Sequence, residues 1–136
     1  MTPLTLSAMQ YCGVPYIWGG QNAFTGFDCS GLVLTCLHDL GITLPDMTSS
    51  DIYKWCKKQD EFYECKPEED CLLFFGKDKI THIAIAINQK QMIETGGGGR
   101  DFKEFDLNLH KRNDARVRVK LISRRKDLLH CLKIFY

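Results

Sequence analysis

The sequence predicts an α+β fold, in which helices come first along the chain and antiparallel strands follow. Apolar residues recur at helical spacing in three segments of the first 56 residues, at 3–12, 29–40 and 51–56. From Cys71 onward the pattern changes to alternation and continuous apolar runs, which are typical of strands. The length of 136 residues suits one domain, and we expect residues 1–136 to form it.

The predicted helices have recognisable first and last residues. Pro3 suits a first helical turn, and Gly13 ends that helix. Asp28 is a preferred N-cap for the second helix, and Gly41 ends it. Hydroxyl side chains at 48–50 offer caps for the third.

The strand pattern covers most of the second half of the chain. Strands are predicted at residues 71–75, 80–87, 91–95 and 115–122, with a hairpin turn at 88–90. Residues 59–70 are polar and contain a proline, so they are predicted to form a loop. Residues 102–113 show no clear pattern, and 128–135 suit either a strand or a final helix.

Composition argues against several classes of partner. Lys and Arg number 18 against 17 acidic residues, so a nucleic acid is not expected as an electrostatic partner. Basic residues between 111 and 126 are interpreted as the solvated side of a strand. There is no signal peptide pattern and no run of transmembrane length, so we expect no membrane association and a cytoplasmic or phage-associated monomer.

Seven cysteines indicate a reduced set of thiols rather than a disulfide framework. There is no CxxC pair, and the four histidines show no ligand spacing with the cysteines, so neither a metal site nor a cofactor is expected. Cys12, Cys36, Cys56 and Cys131 occupy apolar positions and are interpreted as buried small side chains. Cys65 and Cys71 flank a polar loop, and the sequence leaves their pairing open.

One of these cysteines is a candidate nucleophile. The segment GFDCSG at residues 26–31 places Cys29 directly at the predicted start of the second helix. Unpaired N–H groups and the helix dipole favour negative charge there, so this thiol should ionise more readily than a free one.

A thiol nucleophile needs a base, and His82 is the best candidate. His38 lies too far along the helix of Cys29, and His110 and His130 lie in less regular segments. His82 opens the most regular predicted strand. A half-buried strand histidine without catalytic function is the alternative interpretation.

The neighbours of His82 suggest how a site could be assembled. The small side chains of Ala84 and Ala86 share its strand face, and a helix packed on that face would bring Cys29 close. Glu94, across the predicted hairpin, has the parity that places it on the same face as His82. It could orient the imidazole, or it could be an ordinary solvated charge at the end of a strand.

Taken together, five segments resemble the NlpC/P60 cysteine peptidases, which have a papain-like fold. They are GVPYIWGG (13–20), GFDCSGLV (26–33), LP (44–45), LLFF (72–75) and THIAI (81–85). The resemblance runs from about residue 4 to 118. It implies hydrolysis of bacterial cell-wall (peptidoglycan) stem peptides or their fragments, typically between γ-D-glutamyl and a diamino acid.

The resemblance also implies roles for individual residues. Cys29 would be the nucleophile, His82 the base, and Glu94 the third polar group, which is often histidine in the family. Tyr16 matches the tyrosine beside the nucleophile, whose hydroxyl helps to bind the oxyanion or the substrate carbonyl. Trp18 would form a wall of the cleft.

Asp28 and Ser30 match residues that meet the free amine of the substrate in relatives that accept trimmed stem peptides. The chain departs from the family pattern at three places: Glu94 itself, Asp46 where a basic residue is usual, and Asp70-Cys71 where Gly-Asp is usual. These changes bear on specificity. Two other functions fit the same residues, namely an acyltransferase or amidase with this Cys-His pair, and a non-catalytic phage-tail or assembly module.

Overall fold

This computed structural model describes residues 2–134, which contain four α-helices and eight strands. In chain order they are α1 (Pro3–Gln10), β1 (Gln21–Asn22), β2 (Gly26–Phe27), α2 (Cys29–Asp39), α3 (Ser49–Lys57), β3 (Phe62–Glu64), β4 (Cys71–Phe75), β5 (His82–Ala86), β6 (Gln91–Gly96), α4 (Leu107–Asn113), β7 (Arg116–Leu121) and β8 (Leu128–Ile134). The predicted α+β class is therefore confirmed. No helix within residues 2–134 is both long and apolar enough to cross a membrane.

Six of the strands form one antiparallel sheet in the order β3-β8-β4-β5-β6-β7. The last strand, β8, lies between β3 and β4, which settles the choice between strand and helix for that segment. The prediction of a loop over 59–70 is wrong at β3, because those three residues pair with the distant β8, opposite Ile134 at one end and Leu132 at the other. Local sequence carries no signal for such a pairing.

The second helix packs on the face of the sheet that carries the isoleucines of β5. Its buried residues contact the core formed by β4 and β5, including Leu72, Phe74, Ile83 and Ile85. Ala84 and Ala86 lie on the opposite face. The expectation that this helix covers the alanine face is therefore wrong, because the larger isoleucine side chains bury more apolar surface.

The start of α2 is built as the sequence predicts. Asp28 caps the helix by accepting a hydrogen bond from the Gly31 N–H at 2.7 Å. The backbone also packs tightly, since a Cβ at Gly31 would collide with the carbonyl oxygen of Gly20. Cys29 is consequently the first helical residue, held by a cap on one side and a loop on the other.

Two further segments differ from expectation. The first helix ends at Gln10, so Cys12 lies beyond it and is exposed rather than buried. The segment without a clear pattern contains α4, whose N-cap Asp106 accepts a hydrogen bond from the Leu109 N–H at 3.0 Å. This helix is short and buries His110.

Candidate active site

Cys29 is half-buried at the edge of a cleft between the start of α2 and the ends of β5 and β6. Several side chains that the sequence singles out line this cleft with it. The lining residues are Tyr16, Trp18, Cys29, Thr81, His82, Glu94, Thr95, Gly96, Gly97, Gly98, Gly99, Arg118 and Arg125. Cys29 meets His82 at the first residue of β5, not over the alanines of that strand.

His82 and Glu94 form a direct contact. The Nε2 of His82 lies 2.8 Å from Oε1 of Glu94, which leaves Nδ1 for the thiol of Cys29. The register between β5 and β6 produces this pair. Ile85 is paired with Ile93, so Glu94 is a diagonal cross-strand neighbour of His82 on the same face of the sheet. Burial disfavours the imidazolium, but hydrogen bonds and charge from Cys29 and Glu94 raise the pKa of His82 to about 9.

Glu94 is in turn held ionised by Arg118. The guanidinium binds Oε2 of Glu94 through Nε at 3.1 Å and Nη2 at 2.9 Å. Both side chains are buried, and they are direct partners across β6 and β7. Burial alone would raise the pKa of Glu94, but hydrogen bonds and charge from His82 and Arg118 lower it to about 2.

Tyr16 lies beside the nucleophile with its side chain mostly buried. Burial, together with the nearby Cys29 and Asp28, raises the pKa of Tyr16 to about 12, so its hydroxyl remains a hydrogen-bond donor. Its backbone carbonyl accepts a hydrogen bond from Nε2 of His110 at 2.7 Å. Gly98 packs so closely that a Cβ there would collide with the Tyr16 ring.

The family model described as "NlpC/P60 family" matches residues 13–119. This chain belongs to the NlpC/P60 family. The bifunctional muramidase/DL-endopeptidase CwlT of Bacillus subtilis is 37% identical over 102 residues, which cover 72% of this chain and 30% of CwlT. The chain thus spans less than a third of the length of that relative.

Solved structures of the family have the same fold. The peptidoglycan hydrolase RipB of Mycobacterium tuberculosis superposes with a TM-score of 0.70 at 24% identity, covering 98% of this chain and 64% of RipB. RipD from the same organism, a non-catalytic NlpC/p60 domain protein adapted to peptidoglycan binding, gives a TM-score of 0.68 at 20% identity, covering 96% and 93%. At these identities the likeness shows the fold alone, so the activity of this chain has to be argued from its own residues.

Two of the residues that the NlpC/P60 resemblance points to are engaged elsewhere. Oδ1 of Asp28 accepts hydrogen bonds from the Gly31 N–H and, at 3.2 Å, from the hydroxyl of Ser30. Burial raises the pKa of Asp28. Neither side chain lines the cleft with Cys29, and contact of Asp28 and Ser30 with a substrate amine stays a prediction. Trp18, by contrast, lines the cleft and is 47% exposed.

The departure from the NlpC/P60 pattern at Asp70 has a backbone explanation. Asp70 has a φ of 71°, in the left-handed region where the family's usual glycine is favoured. Its buried carboxylate accepts a hydrogen bond from the Thr2 hydroxyl. Aspartate therefore adopts the left-handed conformation at this position, and Cys71 stands where the NlpC/P60 pattern has a carboxylate.

Sequence reasoning missed several members of the site. Arg118 was grouped with solvated basic residues, yet it is buried, and only the pairing of β6 with β7 identifies it as the partner of Glu94. His110 was set aside, although it holds the backbone of Tyr16. Thr95 is buried at the cleft, and its hydroxyl has no hydrogen-bond partner among residues 2–134.

Proposed function

We propose that this NlpC/P60 domain is a cysteine endopeptidase that hydrolyses peptidoglycan stem peptides, at the bond between γ-D-glutamyl and a diamino acid. The observation that carries the proposal is the chain of contacts from Cys29 to His82, Glu94 and Arg118. It supplies a nucleophile, a base and an orienting carboxylate in one cleft. Residues 1–136 act as one catalytic unit in this proposal.

The reaction begins with proton transfer from Cys29 to His82. Glu94 stabilises the resulting imidazolium through Nε2, while Nδ1 faces the thiolate. The thiolate attacks the substrate carbonyl and forms a tetrahedral intermediate. Backbone N–H groups at the start of α2 and the Tyr16 hydroxyl donate hydrogen bonds to the oxyanion.

The leaving group departs next, and water completes the cycle. The imidazolium of His82 gives its proton to the amine of the diamino acid as the C–N bond breaks, which leaves a thioester on Cys29. Neutral His82 then takes a proton from water, whose oxygen attacks the thioester. The second intermediate collapses to a free carboxylate and restores the Cys29 and His82 pair.

The charge of the cleft supports a γ-linked substrate. Arg118 is occupied by Glu94, whereas Arg125 lines the cleft and is paired on one side with Asp127 at 2.8 Å. A D-glutamyl residue joined through its γ-carboxyl keeps a free α-carboxylate. We expect Arg125 to bind this carboxylate, because charge-assisted hydrogen bonds of this kind are worth about 1.5–3 kcal/mol.

The test is hydrolysis of defined stem peptides. The protein is incubated with L-Ala-γ-D-Glu-diaminopimelate peptides and with otherwise identical peptides in which the D-Glu is α-linked. New free amines and product masses are followed over time. The proposal predicts cleavage of the γ-linked peptide after D-Glu, with little cleavage of the α-linked one.

Two variants and one control separate the parts of the proposal. Cys29→Ala should abolish cleavage, whereas Cys12→Ala, at an exposed cysteine away from the cleft, should leave it unchanged. Arg125→Gln should raise KM by about tenfold or more for the γ-linked peptide with a smaller change in kcat. Equal amine release from the Cys29→Ala protein would refute the peptidase, and equal cleavage of both peptides would refute the γ-glutamyl specificity.

A further inference from the structure

Three cysteine side chains meet on the sheet face opposite α2. The Sγ of Cys65 lies 3.2 Å from that of Cys71 and 3.8 Å from that of Cys131, and all three sulfur atoms are within 4.8 Å of one another. Cys71 and Cys131 are buried, Cys65 is half-buried, and all three are free thiols. They form a compact triangle of sulfur atoms with one corner near solvent.

This cysteine triangle is separate from the catalytic cleft. Cys71 is the first residue of β4, and Phe75 is the last, with its ring centroid 5.8 Å from that of His82. Four residue steps along a strand span about 13 Å, so the triangle lies at the start of β4 and the catalytic histidine, the first residue of β5, lies beside the end of β4. A function of the triangle does not depend on the peptidase proposal.

Backbone pairing holds the three thiols in place. The Cys65 N–H donates to the Cys131 carbonyl at 3.1 Å, which fixes the chain after β3 against β8. Leu73 opposes Cys131 in the pairing of β4 with β8, so Cys71 lies two residues away on the same face. The thiols therefore come from three segments that the sheet itself aligns.

The ligand atoms at this position are all sulfur. In a tetrahedral thiolate site with metal–sulfur bonds of about 2.3 Å, neighbouring sulfur atoms are about 3.8 Å apart. The pair Cys65 and Cys131 already has this separation, and Cys65 and Cys71, now 3.2 Å apart, would have to move apart by about 0.6 Å. The neighbouring side chains of the same cluster, such as Leu73 and Ile122, are apolar and offer no competing ligands.

From this arrangement we infer that Cys65, Cys71 and Cys131 bind one thiophilic cation of the Zn²⁺ or Cu⁺ class. Soft thiolate ligands select these ions over Mg²⁺ and Ca²⁺. Binding releases thiol protons, and Lys133, directly opposite Cys71 in the sheet and paired with Glu68 at 2.7 Å, is the nearest cation on the same strand pair. A disulfide would engage only two of the three sulfur atoms, so the triangle suits a cation better.

The bound ion would cross-link β3, β8 and β4, the three strands at one side of the sheet. Cys65 follows β3, Cys71 opens β4 and Cys131 lies in β8, so a single ion links three strands and the loop between 65 and 71. Metal that binds only the folded protein stabilises it by mass action. We therefore expect Tm to rise with the concentration of the ion.

The test uses Cys29→Ala protein, so that metal cannot bind the catalytic thiol. The reduced, chelator-treated protein is titrated anaerobically with Co²⁺ as a Zn²⁺ surrogate, and then with Zn²⁺ or with Cu⁺ in competition. We expect one equivalent of Co²⁺ with thiolate-to-cobalt charge-transfer absorption and tetrahedral d–d bands. Displacement by Zn²⁺ alone, or by Cu⁺ as well, identifies which ion the site prefers.

Matched cysteine variants locate the site. Cys131→Ser should weaken Co²⁺ and Zn²⁺ binding at least about 100-fold and remove the dependence of Tm on metal, whereas Cys12→Ser should change neither. Failure of the protein to bind either Co²⁺ or Cu⁺, or equal binding by the Cys131→Ser protein, would overturn the inference. So would a reduced protein that binds no ion but forms a Cys65–Cys71 disulfide in air.

A second readout needs no variant at the site, in case Cys131→Ser fails to fold. Zn²⁺ should protect Cys65, Cys71 and Cys131 together from alkylation, as mapped by mass spectrometry of the digested protein. Cys12 should be alkylated at the same rate with and without Zn²⁺. Protection of fewer than these three residues would contradict a site built from all of them.

Discussion

Arg118 binds the carboxylate oxygen of Glu94 that His82 leaves free. His82 contacts Oε1 at 2.8 Å, and the guanidinium of Arg118 contacts Oε2 at 2.9 Å. Because Glu94 is buried, it needs both partners to remain charged. The site is therefore a chain of four side chains in which the last, Arg118, acts through the third.

Removing Arg118 should damage both stability and activity. Arg118→Met leaves the buried Glu94 carboxylate without its cation, so we expect the free energy of unfolding to fall by about 3–5 kcal/mol. Arg118→Lys keeps the charge and should recover part of the loss. Chemical denaturation and kcat/KM for the γ-linked peptide measure the two effects.

Lys120→Met provides the control on the same strand, because Lys120 contacts Asp114 rather than Glu94. It should change the free energy of unfolding by less than about 1 kcal/mol. Equal effects of the substitutions at 118 and 120 would show that Glu94 does not depend on Arg118.

The raised pKa of His82 makes stability depend on pH. Since the pKa of His82 rises from 6.5 to about 9 on folding, its stabilisation is complete below about pH 6.5 and is lost as pH rises through about 9. For Glu94, whose pKa falls to about 2, stabilisation is present above pH 4.5 and is lost only towards pH 2. Denaturant midpoints measured from pH 6 to 10 should therefore decline.

Glu94→Gln should shift the alkaline limb of the pH profile of kcat/KM. The glutamine keeps a hydrogen-bond acceptor but removes the anion that favours the imidazolium, so His82 should lose its proton at lower pH. The fall of kcat/KM at high pH should move to lower pH in this variant. A limb at the same pH in both proteins would mean that Glu94 does not control the charge of His82.

Tyr16 and Gly98 should act together. Tyr16→Phe removes the proposed oxyanion donor and should lower kcat by about 100-fold with little change in KM. Gly98→Ala should also reduce kcat, because its Cβ would displace the ring. Gly99→Ala is the matched control, since a Cβ at that position meets no atom within 4 Å. If Gly98→Ala lowers the activity of the Tyr16→Phe protein as strongly as that of wild type, the two do not act through one another.

The buried hydroxyl of Thr95 allows a separate test of substrate binding in the cleft. It is buried without a hydrogen-bond partner among the described residues, which costs about 1–3 kcal/mol. Thr95→Val keeps the shape and removes that cost, so we expect a more stable protein. If substrate supplies the partner, the same variant should raise KM, while Thr95→Ser should keep wild-type KM.

The catalytic pair Cys29 and His82 can be predicted from the sequence, but Arg118, which binds Glu94, cannot. Cys29 and His82 were identifiable because a cap, a helix start and a regular strand are local patterns. Arg118 could not be identified from local sequence, because its partner depends on the register between two strands joined by a long connection. The cysteine triangle was missed for the same reason, since Cys65 and Cys131 are 66 residues apart in sequence.

The prediction that α2 packs on the alanine face of β5 is wrong, because it considered the space beside small side chains and not the apolar surface that a helix buries. The small side chains of Ala84 and Ala86 leave room for a helix, yet α2 covers the isoleucine face, where burial of Ile83 and Ile85 contributes more to stability. The contact between Cys29 and His82 survives this change because it forms at the end of the strand. The catalytic pair therefore does not depend on which face of β5 the helix covers, because His82 is the first residue of that strand.

Activation of the Cys29 thiol by His82 can be measured as the rate at which iodoacetamide alkylates Cys29 at about pH 6. Mass spectrometry resolves Cys29 from the exposed Cys12, and N-acetylcysteine provides a free-thiol reference. We expect Cys29 to react much faster than both, and His82→Ala to remove the difference. Reaction of Cys29 no faster than Cys12 and the free thiol, or an unchanged rate in the His82→Ala protein, would contradict this activation.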